Sequence, residues 1–224
     1  MNENIKNFTK NNFNPFNLVK TLIFKARFLR NNPFFFDPAG IWVFTGCQGS
    51  GKTLSAVDTV YTLKKLYPKA LVVSNCDLMD IDFIPFSSYE DIFNMSNGSE
   101  GIIFFIDEVH ILWNSLESKN ISFDEMAAFC QNRKDRRVIV GTSQVYSRIA
   151  KPIREQLQYI VSCKCIFGLF QINTILDPTE VVEDSSGHLS ATPIGRQFFF
   201  HSPDMYNRFD TYNKINKFER SKKL

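Results

Sequence analysis

No apolar run in the sequence approaches the roughly 18 residues that suggest a membrane span, and no charged-then-apolar leader opens it. Cysteine is sparse. The five residues Cys47, Cys76, Cys130, Cys163 and Cys165 are odd in number and scattered, which argues against a disulfide framework. Cys163-Lys164-Cys165 has no second ligand pair nearby, and His110, His188 and His201 are too dispersed for a metal site. What is present is ordinary for a globular chain: 224 residues, 44% hydrophobic and 22% charged. That suits one domain with modest extensions and excludes wholesale disorder. The expectation is a soluble or peripheral intracellular protein. The 23 Phe, with frequent Asn and Lys, read as coding bias rather than chemistry.

The net charge of +3 hides an uneven distribution. Residues 1–36 hold six Lys/Arg against one acid, and residues 196–224 hold seven against three. The stretch between them holds thirteen against nineteen. An acidic body between two basic ends predicts that the ends meet something anionic, either nucleic acid or lipid headgroups.

Residues 1–17 lack periodicity and read as a loose arm. Leu18, Val19, Leu22, Ile23, Ala26 and Leu29 recur at helical spacing, so 18–30 is predicted as an amphipathic helix. Pro33 and Pro38 punctuate the chain. From Gly40 short apolar runs alternate with helical stretches. Strands are predicted at 41–45, 71–74, 102–106 and 138–142, with helices at 52–66 and about 122–134. That alternation predicts an α/β fold, a mostly parallel sheet with helices on both faces. Residues 159–166 and 169–176 could pair as a C-terminal β-hairpin across Phe167-Gly168, and Phe198-Phe199-Phe200 precedes a basic tail. The boundaries are 1–36 for the basic arm and helix, 37–200 for the body and 201–224 for the tail.

The strongest local signal is Gly46-Cys47-Gln48-Gly49-Ser50-Gly51-Lys52-Thr53. It fits G-x-x-x-x-G-K-[ST] between a predicted strand and a predicted helix, the context of a phosphate-binding P-loop. Glycines allow consecutive N–H groups to point at one phosphate, and the helix N-terminus adds partial positive charge. Lys52 can reach the β and γ phosphates of ATP, and the Thr53 hydroxyl can ligate Mg²⁺. Downstream, Ile102–Ile106 is an apolar strand ending in Asp107-Glu108. Asp107, at the strand's carboxyl end, is predicted beside the P-loop in the Mg²⁺ shell. Glu108 can deprotonate an attacking water, which favours ATP hydrolysis over phosphoryl transfer. The strand 138–142 ends in Ser143-Gln144, and Gln144 is placed to sense the γ-phosphate or position water. The fold expected is thus a single RecA-like P-loop NTPase domain with basic terminal extensions.

A two-lobed helicase would need a second sheet, an ABC ATPase an L-S-G-G-Q-like signature, and a small GTPase an N-K-x-D motif. None is present. A ring ATPase, a nucleotide or small-molecule kinase and an ATP-binding assembly factor remain open on the residues alone.

The P-loop, Asp107-Glu108, the basic stretch Gln131–Arg137 running into Val138–Gln144, and Ile153-Arg154 together resemble the Zot-like ATPases. Those are filamentous-phage assembly and extrusion proteins within the FtsK–HerA superfamily of DNA-pumping motors, and the resemblance spans roughly residues 40–165. It implies Mg²⁺-dependent ATP hydrolysis coupled to moving viral or mobile-element DNA, in a hexameric ring, with virion or assembly proteins as further partners. It carries over Lys52, Thr53, Asp107, Glu108 and Gln144. It also implies an arginine finger entering a neighbouring subunit's site, with Arg133, Arg136, Arg137, Arg148 and Arg154 as candidates. Phage members typically continue into a transmembrane helix and a periplasmic part, and no such span is seen here. The expectation is therefore a packaging or DNA-transfer ATPase of the host cytoplasm, peripheral at the membrane's inner face or associated with a virion.

Overall fold

The computed structural model describes residues 15–86, 91–115, 131–184 and 188–209, and of 15–18 the backbone alone. The chain divides into two units, residues 1–35 and 36–224. In the first, helix α1 runs Pro15–Asn31, somewhat longer than predicted. Proline suits its first position, where no intrahelical donor is needed. Both the backbone N–H and the side-chain amide of Asn32 bond the Phe28 carbonyl and close its last turn, at 2.9 and 3.0 Å.

The second unit is built on one eight-stranded sheet. Its strands are β1 (Gly40–Thr45), β2 (Leu71–Ser74), β3 (Ile84–Pro85), β4 (Ile102–Ile106), β5 (Arg137–Ser143), β6 (Leu157–Ile166), β7 (Phe170–Leu176) and β10 (Pro193–Phe200). The order is β10-β7-β6-β1-β5-β4-β2-β3. Pairings from β6 to β3 are parallel, while β6–β7 and β7–β10 are antiparallel. A small ribbon pairs β8 (Val182–Glu183) with β9 (Leu189–Ser190). The predicted α/β architecture and hairpin are both present, and the hairpin is extended by β10 at the sheet edge. β10 buries none of its residues, so it lacks the alternation that marks a half-buried strand, and only Phe198–Phe200 stood out in the sequence.

Helix α2 (Lys52–Leu66) covers one face of the sheet. Lys64 and Lys65 lie in its last turn, where cations suit the helix dipole, and Lys64 Nζ donates to the Pro68 and Ala70 carbonyls at 2.8 Å each. Val57, Val60 and Leu63 of α2 pack with Phe44, Phe105, Val138 and Val140 on this face. On the other, Ile41, Val43, Phe104, Ile106 and Ile139 pack with Trp113, Ile149 and Ile153. Every residue of β4 is buried, the pattern of a central parallel strand covered twice. Short helices α3 (Asp91–Asn94), α4 (Val109–Leu112), α5 (Lys151–Arg154) and α6 (Pro203–Tyr206) are the other α-helices among the described residues, beside three 3-10 turns at Gly98–Glu100, Tyr146–Arg148 and Pro178–Glu180.

Two expectations need adjusting. Residues 122–130 of the helix predicted at 122–134 lie outside the described residues. Residues 131–136 form turns: Arg137 N–H bonds the Asn132 carbonyl at 2.8 Å, and Arg136 is left-handed at φ 52°. That six-to-one bond around a left-handed residue closes a turn, so the basic run enters β5 as turns and not as helix. The second adjustment concerns the tail, of which 210–224 lies outside the described residues. Residues 201–209 contribute Met205 and Phe209 to the α2-side core. Arg208, counted with the cationic tail, pairs with Asp58 at 2.6 Å and lies over the Tyr61 ring at 4.7 Å.

Candidate active site

Strand register brings the predicted motifs together. β1 pairs with β5, placing Phe44 beside Thr142 and Thr45 beside Ser143. β5 also pairs with β4, placing Gly141 beside Ile106. The segments that follow these three strands therefore emerge side by side at the carboxyl edge of the parallel sheet, where open α/β sheets bind ligands. The P-loop follows β1, Asp107-Glu108 follows β4, and Gln144 follows β5.

The loop after Thr45 turns back over the start of α2. Cys47, Gln48 and Gly49 are exposed, whereas Ser50 and Lys52 are buried. Gly51 precedes the helix at φ 79°, a conformation that any side chain would strain. At Gly46 an added Cβ would lie 2.7 Å from the Cys163 carbonyl, so the loop's entry also accepts only glycine. Lys52 Nζ donates to the Cys47 carbonyl at 3.2 Å, folding the ammonium across its own loop. The sheet on this side is polar. Gln171 Nε2 donates to the Ser50 carbonyl at 3.0 Å, and Ser55 Oγ donates to Asn173 Oδ1 at 3.2 Å.

The Asp107 carboxylate accepts from Thr53 Oγ1 at 3.2 Å and from Thr142 Oγ1 at 2.5 Å. Burial pushes its pKa up, the Thr142 hydrogen bond opposes this, and Glu108 adds to the rise. Its backbone is gripped from β2's end: Asp107 N–H donates to Asn75 Oδ1 at 2.8 Å while Asn75 Nδ2 returns a bond to the Asp107 carbonyl at 2.9 Å. Glu108 is left-handed at φ 57°, a conformation costing on the order of 1 kcal/mol or more for a residue with a side chain. Thr142 helps hold it there, because its Oγ1 accepts the Glu108 N–H at 2.9 Å. The carboxylate itself receives Gln144 Nε2 at 2.9 Å and lies 3.1 Å from His110 Nδ1. Burial lowers the His110 pKa, partly opposed by the Glu108 charge, and its Nδ1 also lies 3.4 Å from Ser143 Oγ.

The structure thus brings Lys52, Thr53, Asp107, Glu108 and Gln144 together at one sheet edge, with Thr142, Asn75, His110 and Gln171 beside them. Thr142 and Gln171 reach the site through strand register, Asn75 from just past the end of β2, and His110 from α4, two residues after Glu108. Cys76 beside Asn75 is a silent thiol, pushed up to about 12 by burial and by Asp107. Cys163 is likewise pushed to about 12 by burial. Of the arginines, Arg137 is buried and bonds the Ile92 carbonyl and Asp135, and Arg136 donates to the Phe36 carbonyl at 3.3 Å. Both bond within their own chain, Arg137 from a buried position and Arg136 from a half-buried one. Arg154 lies over the Tyr146 ring at 5.2 Å, while Arg133 and Arg148 are exposed.

Chemically, the arrangement offers buried cationic and N–H donors for phosphate, hard oxygens from Thr53 and Asp107 for a divalent cation, and a carboxylate aimed by two neighbours for a proton. The model of the ATPase family associated with various cellular activities (AAA) matches residues 42–164, more than half of the chain. The chain belongs to this family. It is therefore an ATP-hydrolysing, nucleotide-binding enzyme, and the match to this AAA ATPase spans β1 through most of β6. No curated protein matches the sequence. Among solved structures, the AAA ATPase is similar to the N-terminal domain of zonular occludens toxin from Neisseria meningitidis. The two are 14% identical with a TM-score of 0.56, over 77% of this chain and 99% of that one. This likeness shows a shared fold. Another match is B204, the DNA-packaging ATPase from Sulfolobus turreted icosahedral virus, 12% identical over 71% of this chain and 100% of that one, with a TM-score of 0.46.

Thr142 is the residue whose role the AAA site makes most testable. Thr142→Val keeps the shape and removes both bonds, leaving a buried carboxylate and a strained N–H with one partner fewer. Phosphate release should fall roughly tenfold to a hundredfold, with a loss of about 1–3 kcal/mol in unfolding free energy. Steady-state ATPase rates and denaturant melts check the two effects together.

Proposed function

We propose that this AAA ATPase is a motor that moves viral or mobile-element DNA during packaging or export, working as a hexameric ring. The observation that carries the hydrolytic part is Glu108, held by Gln144 and His110 at the same sheet edge as the P-loop. In this reading a water attacks the γ-phosphorus, the bond to the ADP oxygen breaks, and the water's proton passes to Glu108. Gln144 orients that water, and Lys52 swings from the Cys47 carbonyl to the β and γ phosphates. The hard oxygens of Thr53 and Asp107, 3.2 Å apart, suit Mg²⁺ in donor type and position. Bound there, Mg²⁺ would offset charge on the phosphate oxygens and stabilise the Asp107 carboxylate against burial.

Support for DNA as the partner comes from the Zot-like sequence features together with the fold shared with the zonular occludens toxin domain. In the proposed ring an arginine from the next copy would add positive charge beside the γ-phosphate, to that of Lys52. Such a motor would act in the host cytoplasm, at the membrane's inner face or on a virion, beside other assembly proteins. No helix among the described residues is long and apolar enough to cross a membrane.

Phosphate release measured with Mg²⁺-ATP, with and without DNA, tests the reading. DNA should raise the rate, and the stimulation should fade as salt rises, because phosphate contacts release counterions. Transfer of phosphate to a small acceptor, indifferent to DNA, would point to a kinase. Binding without release would point to an assembly factor.

A further inference from the structure

We propose that Gln171 is a positioning residue for the phosphate loop, held in its working orientation by a polar chain through His201 and Tyr206. The inference rests on the Gly46–Thr53 loop binding the nucleotide phosphates.

Gln171 lies in β7, on the antiparallel side of the sheet, about 120 residues along the chain from the loop it touches, and is fully buried. A buried amide must find partners for both ends. Its nitrogen donates to the Ser50 carbonyl at 3.0 Å and to Asn173 Oδ1 at 2.9 Å. Two acceptors at one end fix which atom is nitrogen, so Oε1 is left facing His201 Nε2 at 3.1 Å. An amide oxygen only accepts, so that ring nitrogen carries the hydrogen. The other ring nitrogen, Nδ1, lies 2.6 Å from the Tyr206 hydroxyl, which also lies 3.1 Å from the Gly168 carbonyl in the β6–β7 turn. Asn173 meanwhile accepts from Ser55 in the first turn of α2. The Gln171–Asn173 pair therefore grips the loop and the helix that together present the phosphate-binding N–H groups.

Gly51 shows how close the grip is. A Cβ there would collide with the Gln171 amide oxygen, so the loop packs directly on this side chain. The glycine before Lys52 is thus needed twice, for its backbone angle and for the amide lying against it. Without Gln171 the loop would keep its glycines but lose the partner that sets the direction of the Ser50 carbonyl, and with it the adjoining N–H groups. The same loop binds substrate and transition state, so misplacing it weakens both about equally, raising KM and sparing kcat.

The test uses the full chain, a nonhydrolysable ATP analogue for affinity and phosphate release for turnover. Gln171→Leu should raise the analogue's Kd and the ATP KM about tenfold to a hundredfold, with kcat within about threefold. His201→Ala should raise KM about threefold to tenfold, and His201→Gln, which restores an N–H donor, should return it toward the original value. A merely structural role would lower Tm in all three without separating KM from kcat and without that rescue, and this would overturn the proposal. So would Gln171→Leu lowering kcat at unchanged KM. If Gln171→Leu does not fold, the His201 pair decides. Binding of the analogue by the unsubstituted chain, and its weakening in Lys52→Ala, tests the phosphate-loop reading separately.

Discussion

Glu108→Gln should leave ATP binding intact and lower phosphate release by about 10²- to 10⁴-fold, the range for removing a positioned general base. The substitution keeps the side chain's size and its hydrogen bond with Gln144 in one amide orientation, so neither loop nor sheet has reason to move. It removes the only property the mechanism needs at that point, a carboxylate able to take a proton. Backbone geometry sharpens the prediction. The left-handed conformation at Glu108 persists in Gln, with the N–H bond to Thr142 unaffected. A lowered kcat at unchanged KM, with unaltered melting, is therefore expected. Turnover near the original rate would show that Glu108 is only a strand-end acid.

The second large effect is expected between copies. Removing an arginine finger costs about 10³- to 10⁵-fold in rate in comparable phosphoryl-transfer sites. Exposed Arg133 and Arg148 are the candidates best able to reach a neighbour, and Arg154 over Tyr146 is less free. Alanine at one exposed position should produce that loss while nucleotide affinity holds. On the proposed ring reading the finger acts in the next copy's site, so a finger variant mixed with Lys52→Ala should regain part of the activity: the finger-variant chain supplies an intact P-loop and the other an intact arginine. Alanine at Arg137 should instead act on stability, because it leaves the Ile92 carbonyl and Asp135 without their buried partner. Loss of activity without rescue on mixing would place the arginine in its own subunit's site.

The parts of this site that were legible in the sequence are those in which local backbone chemistry demands particular residues. A phosphate loop needs glycines at fixed spacing, and a buried strand that ends in Asp107-Glu108 breaks an apolar run with charge. Gln144 was legible one step further, as a polar side chain at the end of an apolar strand. Thr142, Asn75 and Gln171 were not, because nothing local distinguishes them. Thr142 reads as one more β-former in a buried strand, and only the pairing of β5 between β1 and β4 brings its hydroxyl to both acids. Gln171 reads as a polar interruption in a hairpin strand until β7 is seen beside the loop. The same limit applied to the charges. Arg208 and Arg137 looked like free cations in basic runs, yet long-range partners occupy both. Sheet edges were lost for a different reason, since Ile84–Pro85 is too short and β10 too exposed to carry a period.

The proposed ring, in which one copy would complete another's site, makes oligomerisation central to the account. The most direct measurement is the mass of the particle in solution with a nonhydrolysable ATP analogue, with and without DNA. The account predicts a hexamer when analogue and DNA are both present. A monomer under every condition, with ATP hydrolysis intact, would contradict it.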